Sequence, residues 1–108
     1  MKLLEYIKED GSNPYNKWFD TLNTQAAVKV AVAMARIELG NTSNIKWFGG
    51  IGEYRIDWGP GYRIYLIQDG TELIILLGGG TKKRQQQDIK SAKLLYAEYK
   101  TRKKRDRS

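Results

Sequence analysis

The spacing of apolar positions changes along this chain, and each change predicts an element. Residues 2–7, KLLEYI, alternate well enough for a first strand. Residues 9–13 read as a turn. Asn13 followed by Pro14 marks a helix start, with a side-chain acceptor at the N-cap and proline at the first helical position. The short helix that follows places Trp18, Phe19 and Leu22 on one side. Thr24 is expected to cap a second helix running to Leu39, with Gly40 at its C′ position. Ala26, Val30, Met34 and Ile37 recur at helical spacing and form a core-facing stripe. Two helices with almost no loop between them predict a helical hairpin.

Residues 40–51 are rich in turn formers and read as an irregular connection, anchored to the core by Trp47 and Phe48. A β-hairpin follows, with strands over 53–58 and 62–68 joined by Gly59-Pro60-Gly61. A three-residue loop pairs Trp58 with Tyr62, Asp57 with Arg63 and Arg55 with Tyr65. Side chains alternate faces along a strand. Tyr54, Ile56, Trp58, Tyr62, Ile64 and Leu66 therefore form the core face. Glu53, Arg55, Asp57, Arg63 and Tyr65 share the other, with the two arginines as diagonal neighbours about 8 Å apart. Asp69-Gly70 predicts a two-residue turn into residues 72–77, a run apolar on both faces and so a central strand. That register puts Ile74 and Leu76 on the arginine face, as the apolar floor of a cleft with cationic walls.

After this strand come three glycines, Thr81, and then Lys82, Lys83 and Arg84. The spacing is not that of a P-loop. A last helix is expected from Gln85 to about Arg102, with Ile89, Ala92, Leu95, Tyr96 and Tyr99 inward. The expected fold is one α+β domain over 1–108, with element order β-α-α-β-β-β-α. A small antiparallel sheet would pack on the helical hairpin and the C-terminal helix. Residues 100–108 would form a basic tail, and the far sheet face a shallow cationic cleft.

Charge sharpens this picture. Residues 1–81 carry eight Lys and Arg against nine Asp and Glu, whereas residues 82–108 carry eleven against three. The positive field belongs to the last quarter of the chain and suits an anionic partner. There is no cysteine and no histidine, which excludes disulfides, zinc–thiolate sites and histidine acid–base catalysis. No apolar run is long enough to span a membrane. The start lacks an apolar leader core, so no signal peptide is expected and a cytoplasmic location follows. Arginine matches phosphate through planar donors and permanent charge. The hairpin and the basic loop thus point to a nucleic-acid phosphate site.

The residues EYRI (53–56), GYRIY (61–65), LLGGGTKK (76–83) and DIKSA (88–92) together resemble the RelE/ParE superfamily of bacterial toxins, within it most closely the HigB-like addiction-module killer proteins. The resemblance runs from the helical hairpin through the final helix. It implies a RelE-like fold and the toxin of a type II toxin–antitoxin module, acting as a ribosome-dependent, metal-independent mRNA endoribonuclease without cofactor. It implies as partners an antitoxin bearing a helix-turn-helix domain, the ribosome and mRNA, with no membrane. Carried over by position, Arg55 and Arg63 would bind the scissile phosphate with Lys83 as the basic residue after the last strand. Lys46, Lys82, Arg84 and Tyr65 would contact RNA. The stretch 85–89, QQQDI, holds neither histidine nor tyrosine, so Glu53, Asp57, Lys83 and Tyr65 are left as acid–base candidates. Two other readings stay open. One is a ParE-like inhibitor of DNA gyrase, and the other is a non-catalytic RNA-binding protein using the basic tail.

Overall fold

Local signals place the helices as expected, with one shift. The computed structural model describes residues 1–106; Arg107 and Ser108, the end of the expected tail, lie outside the described residues. Strand β1 (Lys2–Glu5) leads to helix α1 (Pro14–Phe19), whose cap Asn13 accepts a hydrogen bond from the Asn16 backbone N–H at 2.9 Å. Helix α2 (Thr24–Glu38) is capped by Asn23, one residue before the expected Thr24, through a 2.9 Å bond from the Ala26 N–H. Gly40, at φ +94°, ends it. The Gly40 N–H reaches the Ile37 carbonyl at 2.9 Å and the Asn41 N–H the Arg36 carbonyl at 3.0 Å, the two bonds of a Schellman ending.

The sheet departs further from expectation. It has five strands, β2 (Ile45–Phe48), β3 (Ile51–Ile56), β4 (Tyr62–Asp69) and β5 (Leu73–Thr81) joining β1 in the order β1-β5-β4-β3-β2. Strand β2 replaces part of the expected irregular connection. Its turn into β3 is Gly49-Gly50, with φ of +59° and +86°. Two consecutive positive φ values are what a two-residue hairpin of type I′ requires. The sheet is mixed rather than wholly antiparallel, because β1 runs parallel to β5 with Lys2 opposite Leu73 and Glu5 opposite Leu76. The helical hairpin carries the chain to the far edge of the sheet, where β2 enters antiparallel to β1, and three antiparallel turns then bring β5 back beside β1 in the same direction.

The loop between β4 and β5 is also one residue longer than a two-residue turn, since Asp69 pairs with Leu73. One extra residue inverts every face of the strand that follows. Ile74 and Leu76 therefore join Tyr54, Ile64 and Leu66 in the core beneath α1 and α2, the opposite of the expected placement. Ile75 and Leu77 take the arginine face, together with Tyr65 and Ile67.

That face is not open. Helix α3 (Gln85–Asp106), entered through a 3-10 turn (Lys82–Arg84), covers it with Ile89, Ala92, Leu95, Tyr96 and Tyr99. The molecule is thus three layers, α1 and α2, then the sheet, then α3, in place of a sheet with one bare cationic face. The expected tail belongs to this helix as far as Asp106. Arg102 donates to the Ile7 carbonyl at 2.7 Å, and Lys103 meets Asp69 at 2.6 Å.

Glycine lets α1 approach the sheet. A Cβ on Gly79 would lie well inside contact distance of the Trp18 ring, which is itself fixed between Tyr15 and Tyr62. Gly79→Ala is expected to cost about 1–3 kcal/mol in urea unfolding, the usual cost of overpacking. Gly78→Ala, where a Cβ meets nothing within 4 Å, serves as the control and should fall well below that range.

Candidate functional site

The two arginines lie on the same face, and they are closer than expected. Arg55 pairs directly with Arg63, Glu53 with Tyr65 and Gly52 with Leu66. The register is offset by two residues from the expected one, and an even offset leaves each side chain on its predicted face. Direct opposition of like charges is unfavourable by itself. Glu53 resolves it. The Arg55 Nε donates to Glu53 Oε1 at 3.0 Å, and the Arg63 Nε stands 3.7 Å from Oε2. Gln85, the first residue of α3, donates to Oε2 at 2.9 Å. Glu53 is therefore the neutralising carboxylate, where Asp57 was expected opposite Arg63.

The three members of this cluster differ in access. Glu53 is 0% exposed and Arg63 7%, whereas the Arg55 side chain retains 45%. One carboxylate against two guanidiniums leaves the cluster positive. Lys82, Lys83 and Arg84 are all exposed beside it. The Gly61 carbonyl makes the link, accepting from the Lys82 N–H at 2.8 Å and making a long 3.5 Å contact with Arg63 Nη1. Three elements thus bring the candidates together: β3 places Arg55, β4 places Arg63, and the turn after β5 sets the basic residues against the β3–β4 loop. Asp57 is exposed and lines a groove of about 400 Å³ with Arg55, Lys29, Arg36 and Trp58. Lys46, directly opposite Glu53, stands exposed on the edge strand β2. Tyr65, expected at the RNA surface, is instead 1% exposed beneath α3.

Sequence reasoning overlooked Gln85 and Asp88. Both open α3, in a stretch that draws attention only by lacking histidine and tyrosine. Asp88 packs over Gly80, where an added Cβ would collide with its carboxylate. It shares a cavity of about 170 Å³ with Tyr65 and Ser91. The Tyr65 hydroxyl and Asp88 Oδ2 are buried without hydrogen-bond partners among the described residues. Burial, and then the nearby Glu53 carboxylate, push the Tyr65 hydroxyl well above the ordinary tyrosine value. Burial likewise raises the Asp88 carboxyl, against the opposing pull of Arg84. Among the described residues no three His, Cys, Asp or Glu side chains converge as a metal site.

The raised Asp88 carboxyl fixes the sign of a pH effect. The folded state holds this proton to higher pH than the unfolded state does. Stability is therefore lost as pH rises from the ordinary aspartate value through the raised folded value. Asp88→Asn keeps the shape without the charge. Urea midpoints across pH should show the variant more stable than the parent above that window and level with it below.

No family model matches the chain. It is 44% identical over 86 residues to an uncharacterized protein of Haemophilus influenzae, an alignment covering 78% of this chain and 87% of the relative. Identity of that degree over most of both chains is shared ancestry, and this protein belongs to the same family as the Haemophilus influenzae protein.

Proposed function

We propose that this chain is the toxin of a type II toxin–antitoxin module, a RelE-like, ribosome-dependent mRNA endoribonuclease of the cytoplasm. The supporting observation is the cross-strand pair Arg55–Arg63 beside the basic turn at 82–84. An RNA phosphodiester needs no metal for self-cleavage. The 2′-oxygen bonds to the adjacent phosphorus, the bond to the 5′-oxygen breaks, and a cyclic phosphate remains. The 2′-hydroxyl loses a proton and the leaving 5′-oxygen gains one. Arg55 is the accessible guanidinium and binds the scissile phosphate; Arg63, behind it, holds the field positive as charge develops. Lys83 adds an exposed ammonium, and Lys82, Arg84 and Lys46 extend the contact to flanking phosphates. Glu53 orients Arg55 and so is a positioning residue. Asp57 is the accessible carboxylate for proton transfer. With so few acid–base groups, catalysis draws on the ribosome to align the message, since positioning alone is worth about 7–11 kcal/mol. The partner that silences it is an antitoxin with a helix-turn-helix domain.

One observation favours a second reading. Arg63 is buried, both arginines are engaged by Glu53, and α3 covers their face. Such a cluster would serve equally as the internal brace of a gyrase-directed, ParE-like inhibitor. Induction of the protein in a bacterium, with mRNA 5′ ends mapped, separates the two. Discrete new ends within translated codons are expected; intact messages with a DNA-damage response would replace the nuclease by the gyrase inhibitor.

A further inference from the structure

The outer surface of α3 has a feature that the arginine site does not use. Lys90, Lys93, Lys100 and Lys104 are all exposed. At 3.6 residues per turn they fall within an arc of about 80°, in a row about 21 Å long. Only Ala97 interrupts the run, and Gln86 continues it toward the basic turn. The acids nearer the start and middle of the helix are turned elsewhere. Asp88 packs over Gly80, and Glu98 accepts from the Tyr6 hydroxyl at 2.6 Å. Among the described residues none of the four lysines has a carboxylate within ion-pair distance. The Lys100 ammonium rests 4.3 Å from the Tyr96 ring centre, and Lys93 passes beside Gly49 of the β2–β3 turn. Lys46 faces the same layer of the molecule from β2, as its pairing opposite Glu53 requires.

We propose that this row is a docking ridge for the phosphate backbone of double-helical RNA, read by charge and shape without base contacts. Four like charges held unpaired on a rigid helix repel one another, and a polyanion with phosphates at regular intervals relieves that repulsion along the whole row. An anionic membrane fits less well. The apolar side of α3 is spent on the sheet through Ile89, Leu95, Tyr96 and Tyr99, and of its large apolar residues only Leu94 stays strongly exposed, too little to insert among lipids. An acidic protein fits less well too, because the row lacks the central aromatic anchors that dominate protein interfaces. The inference stands apart from the nuclease reading, since none of its lysines belongs to the arginine site.

The test is fluorescence anisotropy with a labelled RNA duplex of about 16 base pairs, long enough to span two minor grooves. Binding is measured across a salt series for the parent protein, for Lys90→Gln/Lys93→Gln/Lys100→Gln/Lys104→Gln and for the matching four-Arg variant. Each lost phosphate contact lowers the slope of log affinity against log salt by about 0.9. The Gln variant should therefore lose up to about 3.6 units of slope with an unchanged urea midpoint, while the Arg variant keeps parental binding. Equal slopes for parent and Gln variant would overturn the ridge. So would a parental preference for polyglutamate or for phosphatidylserine vesicles over the duplex. Loss of folding in the Gln variant would also count against it, because the row would then be structural. Arg55→Ala is expected to leave this binding intact, so the ridge and the nuclease reading fail separately.

Discussion

Glu53→Ala is expected to cost about 3–5 kcal/mol in urea unfolding, the range for breaking a buried ion pair by removing one partner. Glu53 is wholly buried, and three side chains converge on it from β3, β4 and α3. Arg55 loses little in the variant, because half its side chain is already in water. Arg63 loses most: it is 7% exposed, its Nε has no hydrogen-bond partner, and its only carboxylate within 4 Å among the described residues is Glu53. Gln85 also loses its acceptor, and with it a tie between α3 and the sheet. A domain of this size is stable by about 5–15 kcal/mol in total, so the variant should lose a large fraction of its stability. The double variant Glu53→Ala/Arg63→Met distinguishes this account from a simple cavity. Removing the stranded charge should restore much of the lost stability, whereas a cavity cost would persist or grow. A double variant no more stable than the single one would show that packing, not the uncompensated guanidinium, sets the effect.

Arg55→Ala carries the second large effect, on activity. On the proposed reading it should slow mRNA cleavage on the ribosome by about 10²–10³, the usual cost of one preorganised donor to a developing anion. Its urea midpoint should fall less than that of Glu53→Ala, since the guanidinium it removes is half in water and the buried Glu53 keeps Arg63 at 3.7 Å and the Gln85 hydrogen bond. This variant is more informative than Arg63→Ala. Removing Arg63 would leave Glu53 buried against a single, partly solvated partner, and lost activity could then reflect lost fold. Single-turnover cleavage of a ribosome-bound message, alongside the urea curve, separates the two effects. Parental cleavage by Arg55→Ala would remove that guanidinium from the chemistry and favour the gyrase-directed reading.

Much of this arrangement was legible in the residues. The arginine face survived an error in register because the hairpin loop was misjudged by an even number of residues. Trp58 and Tyr62 do not form the first pair; Ile56 and Tyr62 do. The turn after β4 was misjudged by one residue, and there the faces of Ile74 and Leu76 reversed. Parity, rather than loop length as such, decides whether a side-chain assignment survives. Strand β2 was missed because IKWF is short and preceded by turn formers, although Gly49-Gly50 carried a hairpin signal. The covering of the arginine face by α3 was visible in part. A β5 strand apolar on both sides has to be buried on both sides. What periodicity could not say was which sheet face the last helix would take. That depends on the tertiary packing of Tyr96 beneath Gly50 and on the contact from Gln85 to Glu53, neither of which leaves a local pattern.

The pairing of β1 with β5 has a bearing on how this protein is made. Lys2 waits for Leu73, and the Tyr6 hydroxyl is joined to Arg102 across 96 positions. Contacts between such distant segments are late to form, because a long loop must close before either end gains anything. At about 5–20 residues per second of synthesis, the first strand is finished seconds before its neighbour exists. A nascent chain therefore lacks the completed sheet until Thr81 has emerged. On the proposed reading, a nascent chain cannot act on the ribosome that is building it before β5 has emerged.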